Sequence, residues 1–422
     1  MTVDVLSPPA QAERQARTAV AVLFFTNGAL FANLLPRFPQ IKADLGIGNA
    51  AYGLAVAAFP TGAIVAGLAA GALIRRYGSG RVAVAGTVLT GIGVLAAGLS
   101  GSVVLFGTAL LLAGAMDAIT DVAQNAHGLR VQRRYGRSII NSFHAIWSIG
   151  AVTGGSMAAG AIALDLSLGQ HLLISAVVFG IAACVALRFC LTGPDTEPDA
   201  EAAKEETKGE TNGGAARETG AESRELAPRR DEKLRKTRLR TGYVLAALVL
   251  IAASGALVED AGSSWAALYL SDSLHASGTL AASGYIALVG AQFVGRMIGD
   301  RLVDRFGQRA VARSGGLIAA VGMGLALAVP TATGTILGFA TAGFGVATLV
   351  PAAMHEADEL PGLRPGSGLT IVSWLMRLGF LLSPPIVGLV ADSTSLRVGL
   401  LVVPLAGLMV MVLAGVLQPR RR

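Results

Sequence analysis

Charge is what this chain has little of. Only 14% of its 422 residues are Asp, Glu, Lys or Arg, where a soluble protein carries about a quarter. With 53% hydrophobic residues and a mean hydropathy of +0.60, a water-solvated globule is excluded. Cysteine is scarce as well. Cys184 and Cys190 fall six residues apart in one predicted span, on different helix faces. A disulfide framework is therefore excluded, and both read as small apolar packing residues. Polar loops are short, as at 100–102 and 330–333, which leaves no room for a further soluble domain. No Walker loop precedes a helix, which argues against ATP coupling within this chain. His355-Glu356-Ala357-Asp358 starts like a zinc-binding HExxH but lacks its second histidine. Gly154-Gly155-Ser156-Met157 contains the Gly-x-Ser element of intramembrane serine proteases, close to a chance match in a chain this rich in Gly and Ser. The chain is read as a non-enzyme without cofactor or metal. No cleavable signal peptide is expected at its start.

Long apolar runs are what it has. A bilayer needs about 20 apolar residues per helical span. Twelve segments qualify, at roughly 18–36, 49–74, 82–99, 103–127, 141–164, 171–191, 241–270, 280–303, 310–329, 334–356, 367–391 and 396–417. The predicted fold is an all-α integral membrane protein. The 54 glycines suit close helix packing in lipid, where small residues let backbones approach. Basic residues set the orientation. With the N-terminus inside, the inner loops hold Arg75, Arg76, Arg81, Arg130, Arg133, Arg134, Arg137, Arg301, Arg305, Arg309 and Arg313, and the outer loops only Arg37, Lys42 and Arg397. This is the positive-inside pattern. It places both termini in the cytoplasm and the protein in the inner (plasma) membrane. The net charge of +7 is thus a topology signal, and a nucleic-acid partner is excluded because the basic residues flank membrane spans.

Residues 192–240 break the apolar rhythm. The stretch is first acidic, with Gly and Thr and no aromatic residue, then basic from Arg229 to Arg240. Such a composition cannot bury enough apolar surface to fold alone. It is expected to be a disordered cytoplasmic linker between a six-helix bundle at 1–191 and another at 241–422. The two halves repeat one another. Gly71 to Arg81 and Leu302 to Arg309 carry the same loop pattern, with Gly78 and Gly307 229 residues apart, and the same offset sets Gly150 on Gly379. Duplication of this kind builds many secondary transporters.

Loop, topology and duplication together resemble the major facilitator superfamily (MFS), whose signature between spans two and three is Gly-x-x-x-Asp-Arg-x-Gly-Arg-Arg. The second copy keeps Asp304, Arg305, Gly307 and Arg309; the first has Arg75 at the acidic position. The resemblance covers the whole chain and implies two pseudo-symmetric six-helix bundles, one small-molecule substrate and function as a monomer. Asp121-Val122-Ala123-Gln124-Asn125-Ala126, Ser142-Phe143-His144 and Trp265 to Leu270 resemble the bacterial fucose-permease-like branch, which is similar to proton-coupled sugar symporters. Multidrug antiporters of the superfamily place an Arg before the span-four glycine and Gly-Pro in span five. Here Leu110 to Ala113 precede Gly114, and Gly154-Gly155 lacks the proline.

Charged groups within a bilayer cost roughly 2.5–3.5 kcal/mol each on insertion scales, so each needs a reason. Asp117 and Asp121 lie one turn apart on span four, and Asn125 continues that face. Asp117 lies about 21 Å from the outer end, past the midplane. Two carboxylates so close in low dielectric do not both ionise cheaply, which suits proton uptake and release. Asp121 either shares that role or pairs with Arg76 or Arg81 of the adjoining loop. Glu259 and Asp260, late in span seven, are either acidic contacts of an outer gate or carboxylates reaching the outer interface. Gly262-Ser263-Ser264 is expected to loosen the helix there. Arg377, about 16 Å into span eleven, either pairs with Asp117 or Glu259 or holds an anionic solute. His144 is a candidate proton relay or a polar packing residue. Asn27 and Gln292 are candidates for binding a polar solute, or uncharged glue between helices. Arg76, Arg81, Arg296, Asp300, Asp304, Arg305, Arg309 and Glu356 are expected to form a cytoplasmic gate of salt bridges when the cavity faces out.

The expected function is secondary active transport, coupled to the proton gradient, of a small polar solute such as a sugar. Proton-driven efflux of a drug or metabolite is the alternative, and a polytopic sensor without coupled transport is the third reading.

Overall fold

The computed structural model describes residues 11–135, 139–193, 227–360, 363 and 367–418. It is all-α, with twelve helices long and apolar enough to cross a membrane: Gln11–Leu45, Asn49–Tyr77, Ser79–Gly98, Val103–Tyr135, Ser142–Ala163, Leu168–Leu187, Arg240–Ser273, Gly278–Phe306, Gln308–Ala328, Ala332–Asp358, Ser367–Ser393 and Leu396–Val416. They follow the twelve apolar runs in order, because in lipid each backbone amide and carbonyl must be satisfied within its own helix. Alternation of direction puts residues 11 and 418 at one end of the bundle, here the terminal face, and the loop after Leu45 at the other, the distal face.

The duplication is visible in backbone geometry. Gly78 (φ 86°, ψ 144°) and Gly307 (φ 82°, ψ 153°) turn the chain identically between spans two and three and between spans eight and nine. This left-handed region suits glycine alone. Each amide closes the preceding helix, Gly78 on the Ile74 carbonyl at 2.8 Å and Gly307 on Val303 at 2.7 Å. Beside each, an arginine lies over an aromatic ring: Arg76 on Tyr77 at 5.4 Å and Arg305 on Phe306 at 5.3 Å. The helix crossings repeat too. A Cβ on Gly114 would lie 2.0 Å from the Phe59 carbonyl oxygen, and one on Gly343 would lie 2.1 Å from that of Leu288. Gly150 meets Phe25, and Gly379 meets Ala253, in the same manner.

Two expectations need correction. The segment 227–240, assigned to the linker, has helical backbone: the helix of span seven begins at Ala227. Glu, Lys, Leu and Arg are strong helix formers, and they extend a span whose hydrogen bonds are already nucleated. The acidic part of the linker lies outside the described residues. Span seven is also unbroken at Gly262-Ser263-Ser264. Gly262 is instead where Leu288 of span eight packs, 2.5 Å from the position of a Cβ, and the irregularity comes later, as a π-helix at Tyr269–Ser273. Spans ten and eleven are discontinuous. Span eleven divides at Met376 into Ser367–Leu375 and Arg377–Ser393; span ten divides between Val346 and Leu349.

The first six spans and the last six meet mainly toward the distal face. There the Asp392 carboxylate accepts from the backbone amides of Asn49 (2.9 Å) and Ala50 (2.8 Å) and from Asn49 Nδ2 (2.9 Å). Lys42 pairs with Asp272 at 3.1 Å. Tyr52 is fully buried, donates to the Ser264 carbonyl at 2.8 Å and meets the Trp265 ring edge-on at 5.0 Å. Gly53 packs on the Pro384 carbonyl. Together these contacts seal the distal face.

Candidate functional site

The centre of the first half is built on Asn27, 5% exposed in span one. Next to it, Gly28 admits the Trp147 carbonyl to within 2.2 Å of where a Cβ would stand, so span five runs against span one. That approach lets Trp147 Nε1 donate to Asn27 Oδ1 at 2.9 Å. Asn27 Nδ2 in turn donates to Asp117 Oδ1 at 2.7 Å. Gln124, buried on span four, donates from Nε2 to Asn27 Oδ1 and to Asp121 Oδ1, both at 3.4 Å. Asn125 Nδ2 adds a bond to Asp121 Oδ1 at 3.0 Å. Two carboxylates one turn apart are thus held by neutral amides, and among the described residues neither has a salt bridge within 4.0 Å. Carboxylates so held can take up a proton at small electrostatic cost.

The centre of the second half is different. Gln292, 3% exposed on span eight, donates to Glu259 Oε2 at 2.6 Å. Arg296, one turn further, pairs with the same oxygen at 3.5 Å and reaches Ser148 Oγ of span five, also at 3.5 Å. Arg296 therefore links the halves at mid-depth. Expected as a residue of the cytoplasmic gate, it is bonded here to Glu259 and Ser148. The one-turn spacing to Gln292 puts it on the same helix face as the Glu259 contact.

Asp121 does not pair with Arg76 or Arg81. Its charged neighbours are His144 of span five and Arg377, the residue that opens the second segment of span eleven. Arg377 is partly buried and, among the described residues, makes no ion pair with Asp117 or Glu259. His144 faces Asp121 and Arg296. The structure thus groups Asn27, Asp117, Asp121 and His144 from the first half with Glu259, Gln292, Arg296 and Arg377 from the second. Gln124, Trp147 and Ser148 join them. Gln124 was legible, one turn after Asp121; nothing in the sequence marks Ser148.

At the terminal face the remaining gate candidates are apart. Arg76 and Arg305 lie over their aromatic neighbours, and Arg81, Asp300 and Asp304 are exposed. Arg309 Nε donates to the Leu417 carbonyl at 3.0 Å, and Glu356 accepts from the Gln418 amide at 3.3 Å, so both fasten the end of span twelve. Among the described residues none of these six charges from the two loops makes a salt bridge. The contacts between the halves thus gather at the distal side, and among the described residues no salt bridge joins the halves at the terminal face. Cys184 and Cys190 are free.

A family profile, that of the Major Facilitator Superfamily, matches residues 20–364 and again 248–422. The chain belongs to this superfamily. This MFS protein is a membrane transporter of the secondary type by its fold and family. An uncharacterized transporter of Sinorhizobium fredii, y4wD, is 28% identical over 94% of this chain and 97% of its own length. The membrane protein MosC of Rhizobium meliloti is 27% identical over 93% of this chain and 88% of its own. An uncharacterized MFS-type transporter of Yersinia pestis is 25% identical, covering 91% of each. Among solved structures, the nucleoside transporter NupG superposes with a TM-score of 0.67 at 12% identity, over 96% of this chain and 99% of that one. A D-xylose-proton symporter gives 0.68 at 18% identity, over 95% and 96%. At these identities the superpositions show a shared fold.

Proposed function

We propose that this MFS protein is a proton-coupled carrier for a small polar solute such as a sugar, working by alternating access as a monomer in the inner membrane. The observation that carries this reading is the Asn27 hub: one buried amide joins Asp117, Trp147 and Gln124 at a depth where lipid would exclude every one of these polar groups without a reason. Asp117 is bonded to a neutral donor, so it has no fixed countercharge to lose when it takes up a proton. Trp147 offers a ring face, and the amides of Asn27, Gln124, Asn125 and Gln292 offer paired donors and acceptors for hydroxyl groups. The resemblance to fucose-permease-like proteins and the fold shared with a D-xylose-proton symporter support a sugar-like solute.

With the basic loops inside, the terminal face is cytoplasmic and the distal face external. The described conformation then faces the cytoplasm. The six-helix halves at 1–191 and 241–422 rock about the central site. The charges of Arg76, Arg81, Asp300, Asp304, Arg305 and Arg309 pair only when the cavity faces out.

Proteoliposomes with an imposed proton gradient test this reading. Labelled monosaccharides and polyols are expected to accumulate, and a protonophore abolishes accumulation. Drug extrusion from expressing cells without sugar uptake would overturn it in favour of efflux.

A further inference from the structure

Asp260 sits beside Glu259 in sequence but faces away from the central site. Its Oδ1 accepts from Ser264 Oγ at 3.4 Å, while its Oδ2 is buried without a partner. The same helical turn carries the distal seal. Ser264 offers its carbonyl to the Tyr52 hydroxyl at 2.8 Å, and the next residue, Trp265, is wholly buried against the Tyr52 ring, its indole N–H also without a partner. Ser383 of span eleven, bonded to the Leu257 carbonyl at 3.4 Å, turns the same hydroxyl toward the Asp260 carboxyl group. A carboxylate is thus enclosed where the two halves press together.

The charges on the elements packed around it are otherwise engaged. Glu259 holds Gln292 and Arg296. Lys42 holds Asp272, and Arg37 donates to the Leu166 carbonyl and Gln40. On span eleven, Arg377 faces Asp121 and Asp392 caps Asn49 and Ala50. Among the described residues, the Tyr52 phenol is the further titratable group facing it from the first half. Among the described residues no cation pairs with Asp260. An unpaired carboxylate is costly to bury, whereas a carboxylic acid is neutral and brings its own O–H donor.

We propose that Asp260 is a proton-binding switch of the distal seal, distinct from the central carboxylates. With a proton on Oδ2 the turn is neutral and Tyr52 and Trp265 close over it. When the seal parts, Tyr52 withdraws with span two, water reaches the carboxyl group, and the O–H bond breaks with release of the proton to that water. Closure and protonation favour each other reciprocally. The switch rests on the carrier reading, but its test needs no solute, so the two fail separately.

Spin labels on the exposed residues Asp44 and Ser273, one from each half at the distal face, with both native cysteines replaced by serine, report the seal. Interlabel distances are measured in lipid between about pH 5.5 and about pH 8.5. With one linked proton the closed-to-open ratio is expected to fall with rising pH by as much as about tenfold per unit. Asp260→Asn, neutral at every pH, is expected to stay closed throughout. Tyr52→Phe, which loses only the hydroxyl bond, is expected to shift toward open at every pH while keeping the slope; it serves if Asp260→Asn does not fold. The proposal is overturned if Asp260→Asn responds to pH like its parent, if Tyr52→Phe loses the slope, or if sodium at constant pH closes the seal as protons do.

Discussion

Asp392→Ala is the sharpest perturbation of the seal. Asp392 acts as the N-cap of span two but is supplied by span eleven of the other half, and its three bonds of 2.8–2.9 Å exist only while the halves touch. Loss of an N-cap side chain costs about 0.5–2 kcal/mol, typically about 1. The third bond, to the Asn49 side chain, adds roughly 0.5 kcal/mol at a solvent-exposed position. The sum is about 1.5 kcal/mol, or roughly a tenfold shift from the distally closed to the distally open form. By contrast, the Lys42–Asp272 pair is an ion pair with side chains 16% and 43% exposed, and Lys42→Ala should cost about 1 kcal/mol or less. The assay is labelling of an Ala55→Cys probe, buried on span two one turn from Tyr52, by an impermeant thiol reagent in a background without native cysteines. The Asp392→Ala rate should rise about tenfold over its parent if labelling follows the open population. Asp392→Asn should fall between, and Lys42→Ala should change the rate less than Asp392→Ala does. An Asp392→Ala rate within a factor of about two of the parent, or a larger effect from Lys42→Ala, would refute the cap as the dominant latch.

Asp117→Asn is expected to abolish proton-driven accumulation while preserving solute exchange across proteoliposomes, because the hub keeps its Asn27 contact but cannot take up a proton; accumulation at the parent's level would remove Asp117 from coupling. Asn27→Ala leaves Asp117 and the Trp147 N–H without their bonds and should destabilise the protein by about 1–3 kcal/mol, read as a lowered Tm in detergent, together with loss of uptake. Gly114→Ala and Gly343→Ala force a methyl group onto a carbonyl at 2.0 and 2.1 Å and should each cost about 1–3 kcal/mol or more. Gly67→Ala, with open space around its Cβ, is the neutral control in the same thermal assay.

The spans were legible because the requirement they meet is one-dimensional: a run of apolar residues either covers the hydrocarbon or does not. The repeat was legible because a left-handed turn admits little but glycine, so Gly78 and Gly307 survive as markers. Pairings were less so. Arg296 looked like a gate residue by depth along its helix, yet rotation of span eight about its axis decides that it meets Glu259 and Ser148. That rotation comes from packing at Gly262 and Gly343, which no local pattern reports. Glu259 and Asp260, adjacent in sequence, point to different neighbours because successive residues of a helix project about 100° apart. The helical start of span seven at Ala227 was hidden because charged residues suggest a solvated linker even when their helix propensity is high.

The backbone-on-backbone crossings at Gly114 and Gly343 have a mechanical meaning. Where a carbonyl sits directly over a glycine there is no side chain to rearrange, so those helices cannot slide against each other without collision. Each half is therefore expected to move as a stiff unit. Motion between the halves has to break the contacts that join them, the links of Tyr52, Ser148 and Arg296 together with the close crossings of Gly53 on Pro384 and Gly388 on Asn49.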